Sequence, residues 1–152
     1  MSHSIDLLKT LVAFDTTSRE SNLQLIEFVR DYLANFSVPC ELIYNEQRSK
    51  ANLFASIGPA DVPGIVLSGH TDVVPVDGQP WTLPPFALTE REGKLYGRGT
   101  ADMKGYIACV LALVPALVQA DLRMPVHIAL SYDEEVGCLG VRSLLKALQQ
   151  RP

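Results

Sequence analysis

Apolar and polar positions along this chain repeat with two different periods. From Ser4 to about Phe14, Leu7, Leu8, Leu11 and Val12 form one stripe at helical spacing, with Ser4 placed to cap its start. Asp15-Thr16-Thr17-Ser18 interrupts that stripe with polar turn-formers. From about Ser21 to Phe36, Leu25, Phe28, Val29, Tyr32, Leu33 and Phe36 recur at i, i+3, i+4, i+7, i+8 and i+11, which predicts a second amphipathic helix. Cys40 to Tyr44 and Asn52 to Ile57 read as strands. Gly64 to His70 is a short apolar run ending in small residues and a histidine, a pattern suited to a central strand covered on both faces. Pro75 to Phe86 carries four prolines and the only Trp, and predicts irregular structure. Phe86 to Tyr96 predicts a hairpin turning at Arg91-Glu92-Gly93. A loop from Gly97 to Gly105 feeds a helix from about Tyr106 to Gln119, which Pro115 is expected to end or kink. Val126 to Leu130 reads as another buried strand, and a last helix follows from about Val141 to Gln149. Helices and strands that alternate in this way argue for an α/β layered fold. No repeat, low-complexity tract or linker divides the chain, and 152 residues suit one domain.

Composition narrows the class. With 47% hydrophobic and 20% charged residues, the chain has enough apolar content to bury a core, which excludes wholesale disorder. Its longest apolar run, Ile107 to Val118, is broken by Pro115 and falls short of the roughly 20 residues a membrane-spanning helix needs. Met1 to Asp6 lacks a basic stretch followed by an apolar one, so no secretory signal is expected. A net charge of −4 is not the footprint of a nucleic-acid binder. The three cysteines, Cys40, Cys109 and Cys138, show no paired spacing, which suits reduced thiols in a cytoplasm-like compartment.

Candidate chemistry gathers where strands end: His70-Thr71-Asp72, Asp102, and Asp133-Glu134-Glu135. Ligands of α/β sheets collect beyond the carboxyl ends of strands. Each spot alone has an ordinary alternative. A histidine after a strand is often structural, an aspartate in a glycine-rich loop is often a turn residue, and an acidic triplet often approaches a helix. Together they suggest more. In extended backbone His70 and Asp72 point the same way, which suits a metal-binding imidazole held by a carboxylate. Glu134 and Glu135 are adjacent and are expected to point apart, so that one can ligate metal and the other act as base. Converging carboxylates need cations, and histidine with carboxylates fits zinc or a similar ion. His127 lies in a buried strand run and Cys138, near the acidic pair, reads as structural. A different class, a dinucleotide-binding module on Gly97-Arg98-Gly99, loses the third glycine of its pattern to Asp102. A non-catalytic metal-binding fragment is the remaining alternative.

Longer strings carry a resemblance. Leu67 to Pro75, Trp81 with Pro84-Pro85-Phe86, Gly93 to Gly105, and Asp133 to Gly137 occur in order. From Phe14 onward the chain resembles the family of zinc hydrolases that includes acetylornithine deacetylase, succinyl-diaminopimelate desuccinylase, aminoacylase and carboxypeptidase G. Phe14 to Asn22, Asn52 to Gly58 and Glu135 to Cys138 are most similar to the acetylornithine deacetylases in it. The resemblance implies an α/β/α layered, zinc-peptidase-like catalytic domain with a mixed, mostly parallel sheet, cut short on its C-terminal side. Residues 1–152 would form the N-terminal portion of that domain, without the small dimerisation domain and the remaining catalytic part. It further implies a dinuclear zinc amidohydrolase in which cobalt can substitute. His70 would bind one metal, Asp102 would bridge both and Glu135 would bind the other. Asp72 would orient His70, and Glu134 would act as general base. The peptide after Asp102 is often cis in this family. The implied reaction removes the acetyl group of N-acetyl-L-ornithine to give L-ornithine and acetate, in arginine biosynthesis in the cytoplasm. A desuccinylase or aminoacylase of the same family is the alternative. The implied partner is a small N-acyl amino acid, with no nucleic acid and no membrane, and full-length relatives would be homodimers. With only part of the ligand set, the 152-residue chain alone is expected to be inactive.

Overall fold

The computed structural model describes residues 2–149. Helix α1 (His3–Ala13) and helix α2 (Leu23–Ala34) come first, then strands β1 (Cys40–Tyr44), β2 (Ala51–Ile57) and β3 (Ile65–His70). The short strands β4 (Thr89–Arg91) and β5 (Lys94–Tyr96) precede helix α3 (Lys104–Gln119), strand β6 (Val126–Ser131) and helix α4 (Val141–Gln149). The main sheet has the order β1-β2-β6-β3, and β4-β5 forms a separate ribbon. Side chains alternate between the two sheet faces. Leu53, Ala55, Ile57, Ile128 and Leu130 share the core with the buried stripes of α1, α2 and α3. Phe54 and Ala129 turn the other way, against Leu144 of α4. The alternation of elements thus yields the expected α/β layers. Among the described residues no helix is long and apolar enough to cross a membrane.

Several expectations shift. The sheet is mixed, but β1-β2 and β2-β6 are antiparallel and only β3-β6 is parallel, so it is not mostly parallel among the described strands. The expected central strand, β3, is an edge in this sheet, with Ile65 54% and Val66 51% exposed. Its apolar run signals a surface to be covered, and hydropathy does not say by what. Helix α1 starts one residue before Ser4, and its capping position is Ser2, which makes no side-chain cap bond. Pro115 does not end α3. A proline there leaves the carbonyl of Leu111, four residues earlier, without its helical donor. The Tyr32 hydroxyl supplies one, donating to Leu111 O at 3.0 Å from the neighbouring α2. The hairpin turns where expected, with Glu92 at φ 54° and Gly93 at φ 71°, the paired left-handed conformation that suits a two-residue loop.

Three features position the candidate chemistry. Parallel pairing sets His70 opposite Ser131, so the loops after β3 and β6 leave the sheet side by side. Thr71 ties them together, its N–H donating to Ser131 O at 2.8 Å. Gly105 lets α3 start hard against the loop that carries Asp102, since a β-carbon there would lie 2.3 Å from the Thr100 carbonyl oxygen.

Candidate active site

His70 is 5% exposed at the end of β3. Its Nδ1 lies 2.9 Å from the backbone carbonyl oxygen of Asp72. A carbonyl only accepts, so Nδ1 carries the proton and the neutral ring turns the lone pair of Nε2 outward. That lone pair faces acceptors: Asp102 Oδ1 at 3.0 Å and Glu134 Oε2 at 3.7 Å. A lone pair set against two carboxylates needs a positive charge between them. Without a metal ion, the ring itself takes up a proton. Burial opposes the charged imidazole, but hydrogen bonds to Asp72 and Asp102 outweigh it and raise the His70 pKa to about 9.

Asp72 is 2% exposed and does more than hold the imidazole. Its carboxylate is 3.6 Å from His70 Nδ1, so the closer contact comes from its backbone and not, as expected, from its side chain. Oδ1 accepts the Glu134 N–H at 3.0 Å, and Oδ2 accepts the Glu135 N–H at 3.2 Å and the Ser18 hydroxyl at 2.7 Å. Burial alone would raise the pKa of this carboxyl. The nearby His70 imidazole, the Ser18 hydroxyl and the two amides reverse that and lower it to about 2. Asp72 therefore stays ionised and ties the turn that carries both glutamates to the end of β3.

That turn changes one expectation. Glu134 and Glu135 do not point apart, because they lie in a turn after β6 and the alternation of a strand does not apply. His70, Glu134 and Glu135 each offer a ligand atom, and these atoms lie within 4.8 Å of one another, a group that can hold a metal ion. Asp102 reaches His70 from the loop before α3, with its side chain 76% exposed and its peptide bond to Met103 cis. Burial raises the pKa of Glu135, and the neighbouring Asp102, Glu134 and Asp72 charges raise it further against the pull of His70. This donor set, one imidazole with clustered carboxylates, fits a hard or borderline divalent cation such as zinc.

The structure thus brings together His70, Asp72, Asp102, Glu134 and Glu135. Beside them is a cavity of about 280 Å³ lined by His70, Met103, Glu134 and Cys138 among others. Cys138 has a partner that the sequence did not suggest, since its thiol lies 3.7 Å from Glu134 Oε1. His127 stays apart, on β6, where it pairs with Ser56 at 2.8 Å and stacks on Phe54. Ser18, Lys50 and Asn52 also escaped the sequence reading. Asn52 is fully buried; it holds Gly140 and Ser143 through Nδ2 and accepts the Tyr132 N–H, bracing the turn from behind. For Lys50 and Asn52 the available signal was a polar residue beside or inside an apolar strand, and for Ser18 its place in the polar stretch after α1.

Known proteins resemble this chain in sequence and in fold. A family profile described as peptidase family M20/M25/M40 matches residues 66–152, more than half of the chain. The acetylornithine deacetylase of Pasteurella multocida is 40% identical over 144 residues, covering 94% of this chain and 37% of that relative. That of Shigella sonnei is 37% identical over 156 residues, covering 97% of this chain and 40% of the relative. The chain thus spans well under half the length of these curated relatives. Among solved structures, human carnosine dipeptidase 1 superposes with a TM-score of 0.83 at 26% identity, over 97% of this chain and 35% of that one. An M20 family metallo-carboxypeptidase of Sulfolobus solfataricus superposes with a TM-score of 0.84 at 20% identity, over 97% of this chain and 34% of that one. Its likeness speaks for the fold alone. Profile and fold agree, and the chain belongs to peptidase family M20/M25/M40.

Proposed function

We propose that residues 1–152 form the N-terminal, metal-binding part of the catalytic domain of an N-acyl amino acid amidohydrolase. The substrate we favour is N-acetyl-L-ornithine, cleaved to L-ornithine and acetate. The observation that carries the reading is the Nε2 lone pair of His70, fixed by the Nδ1 bond to Asp72 O and aimed at Asp102 and Glu134. The choice of acyl group and amino acid is supported by the names of the curated relatives.

His70, Asp102 and Glu135 would hold two zinc or cobalt ions, with Asp102 shared between them. Bound ions would supply the positive charge that polarises an amide carbonyl and acidifies the attacking water. Glu134 would accept the proton of that water and return it to the leaving amine. Asp72 would keep His70 in the tautomer that leaves Nε2 free. Three protein ligands shared between two ions leave each with fewer than the three usual for catalytic zinc. The chain by itself is therefore expected to show no useful turnover.

Two variants separate the roles of the glutamates. In the complete enzyme, Glu134→Gln should lower the rate of ornithine release by about 10²- to 10⁴-fold while metal content is unchanged. Glu135→Gln should instead lower metal content. The opposite pattern, measured by elemental analysis beside the rate assay, would reverse the two roles.

A further inference from the structure

The turn that carries the two glutamates is held from behind by a lysine that the reaction does not use. Lys50 ends the loop between β1 and β2 and has its backbone pinned there. Asn45 Oδ1 accepts the Ser49 and Lys50 N–H groups at 2.9 and 3.0 Å, and Asn45 N donates to Lys50 O at 3.0 Å. From that fixed base the side chain, 13% exposed, reaches inward. Its ammonium donates to the backbone carbonyl of Ser18 and to Asp133 Oδ1, whose side chain is 17% exposed.

Asp133 sits at φ 55°, in the left-handed region where aspartate is one of the few tolerated side chains. This conformation turns the chain so that the next two N–H groups, of Glu134 and Glu135, converge on the Asp72 carboxylate. Successive amides converging on one anion form a nest, whose shape depends on the residue that starts it. Ser18 completes the circuit, with its carbonyl on Lys50 and its hydroxyl on Asp72 Oδ2. Four segments far apart in sequence thus close one ring of hydrogen bonds: the β1–β2 turn, the segment after α1, the end of β3 and the turn after β6. Charge points the same way. Asp72, Asp133, Glu134 and Glu135 crowd the turn, and among the described ion pairs the cations that meet them are Lys50 and His70. His70 faces the cavity, whereas Lys50 faces the back of the turn and stays available whatever binds in front.

We infer that Lys50 is a positioning residue: by holding Asp133 and Ser18 together it fixes the amide nest on Asp72, and so sets where the Glu134 and Glu135 carboxylates stand relative to His70. This deepens the metal-hydrolase reading and rests on it for its consequence, although the ring itself can be tested without metal.

The test is amide hydrogen exchange on the purified chain, with Lys50→Met, Lys50→Arg and Asp133→Asn compared with the parent. Lys50→Met should speed exchange at the Glu134 and Glu135 amides about tenfold or more, while amides across the Leu53–Leu130 strand pairing change less than about twofold. Lys50→Arg, which keeps the cation, should restore most of the protection. Asp133→Asn should match Lys50→Met, and the double variant should add nothing further, as for two members of one contact. If Lys50→Met fails to fold, Asp133→Asn carries the same comparison with the lysine in place. Unchanged exchange at the two glutamates would overturn the inference, as would a uniform loss of protection across the sheet. In parallel, cobalt titration should show roughly tenfold weaker binding in Lys50→Met, as expected when groups that orient ligands are lost. A parent chain that takes up no cobalt would count against the metal reading, and the exchange pattern would still decide the role of Lys50.

Discussion

On one face of the sheet, Leu53, Leu130 and Ile128 lie beneath three helices, and Leu11, Leu25, Ile26 and Leu111 are fully buried there. On the other face, Phe54 and Ala129 meet α4, while Val66 at 51% and Leu145 of α4 at 52% stand half exposed. Apolar burial is the main source of folding free energy, so stability is concentrated on the helix-covered face. The candidate site follows neither pattern. It hangs from the ends of β3 and β6 and is held by hydrogen bonds among Ser18, Asp72 and the Glu134–Glu135 amides. The contrast separates two jobs: a dry face that makes the domain stable, and a polar rim whose bonds set ligand positions.

Substitutions can break that contrast. Leu111→Ala, in the dry core, should cost about 3 kcal/mol by urea denaturation, the usual loss for a large buried side chain. A loss under about 1 kcal/mol would mean that the helix-covered face is not the anchor.

The polar rim should respond to pH in protein freed of metal. Asp72 has its pKa lowered from 3.8 to about 2, so its contribution is complete above the unfolded value and is lost as pH falls from 4 towards 2. That contribution is roughly 2 kcal/mol for a side chain this buried. His70 is raised from 6.5 to about 9, so its contribution is complete below 6.5 and is lost as pH rises through 9. The His70–Asp72 contact enters both shifts, so the two losses overlap and do not simply sum. Urea midpoints of metal-free protein should therefore be highest between about pH 4 and 6.5. On the proposed metal reading, saturating zinc should flatten the alkaline limb, because the ion would take the place of the proton on Nε2. A midpoint still rising from pH 7 to 9 without metal would contradict this account of His70.

The smallest effect is expected on the open face. Leu145→Ser should change stability by no more than about 0.5 kcal/mol, as for other exposed positions. A loss as large as that of Leu111→Ala would show that this face is covered in solution and would erase the asymmetry.

By itself the sequence determined the elements and the chemical identity of the site. The stripe of Leu7, Leu8, Leu11 and Val12, the turn at Glu92-Gly93 and the strand run ending at His70 are local patterns, legible from spacing and turn residues alone. The string from Leu67 to Pro75, the one from Gly93 to Gly105 and the triplet Asp133-Glu134-Glu135 likewise named the residues that converge. Tertiary structure alone decided the rest. Tyr32, 79 residues before Leu111, gives that carbonyl the donor that Pro115 withholds. Ser18 reaches Asp72 across 54 residues, and Lys50 reaches Asp133 across 83. The alternation rule sent Glu134 and Glu135 apart, and the turn that Asp133 begins brought them together. Hydrophobic periodicity reports which face of one element seeks burial. It carries no record of which distant polar group will meet another, because that depends on how the layers pack.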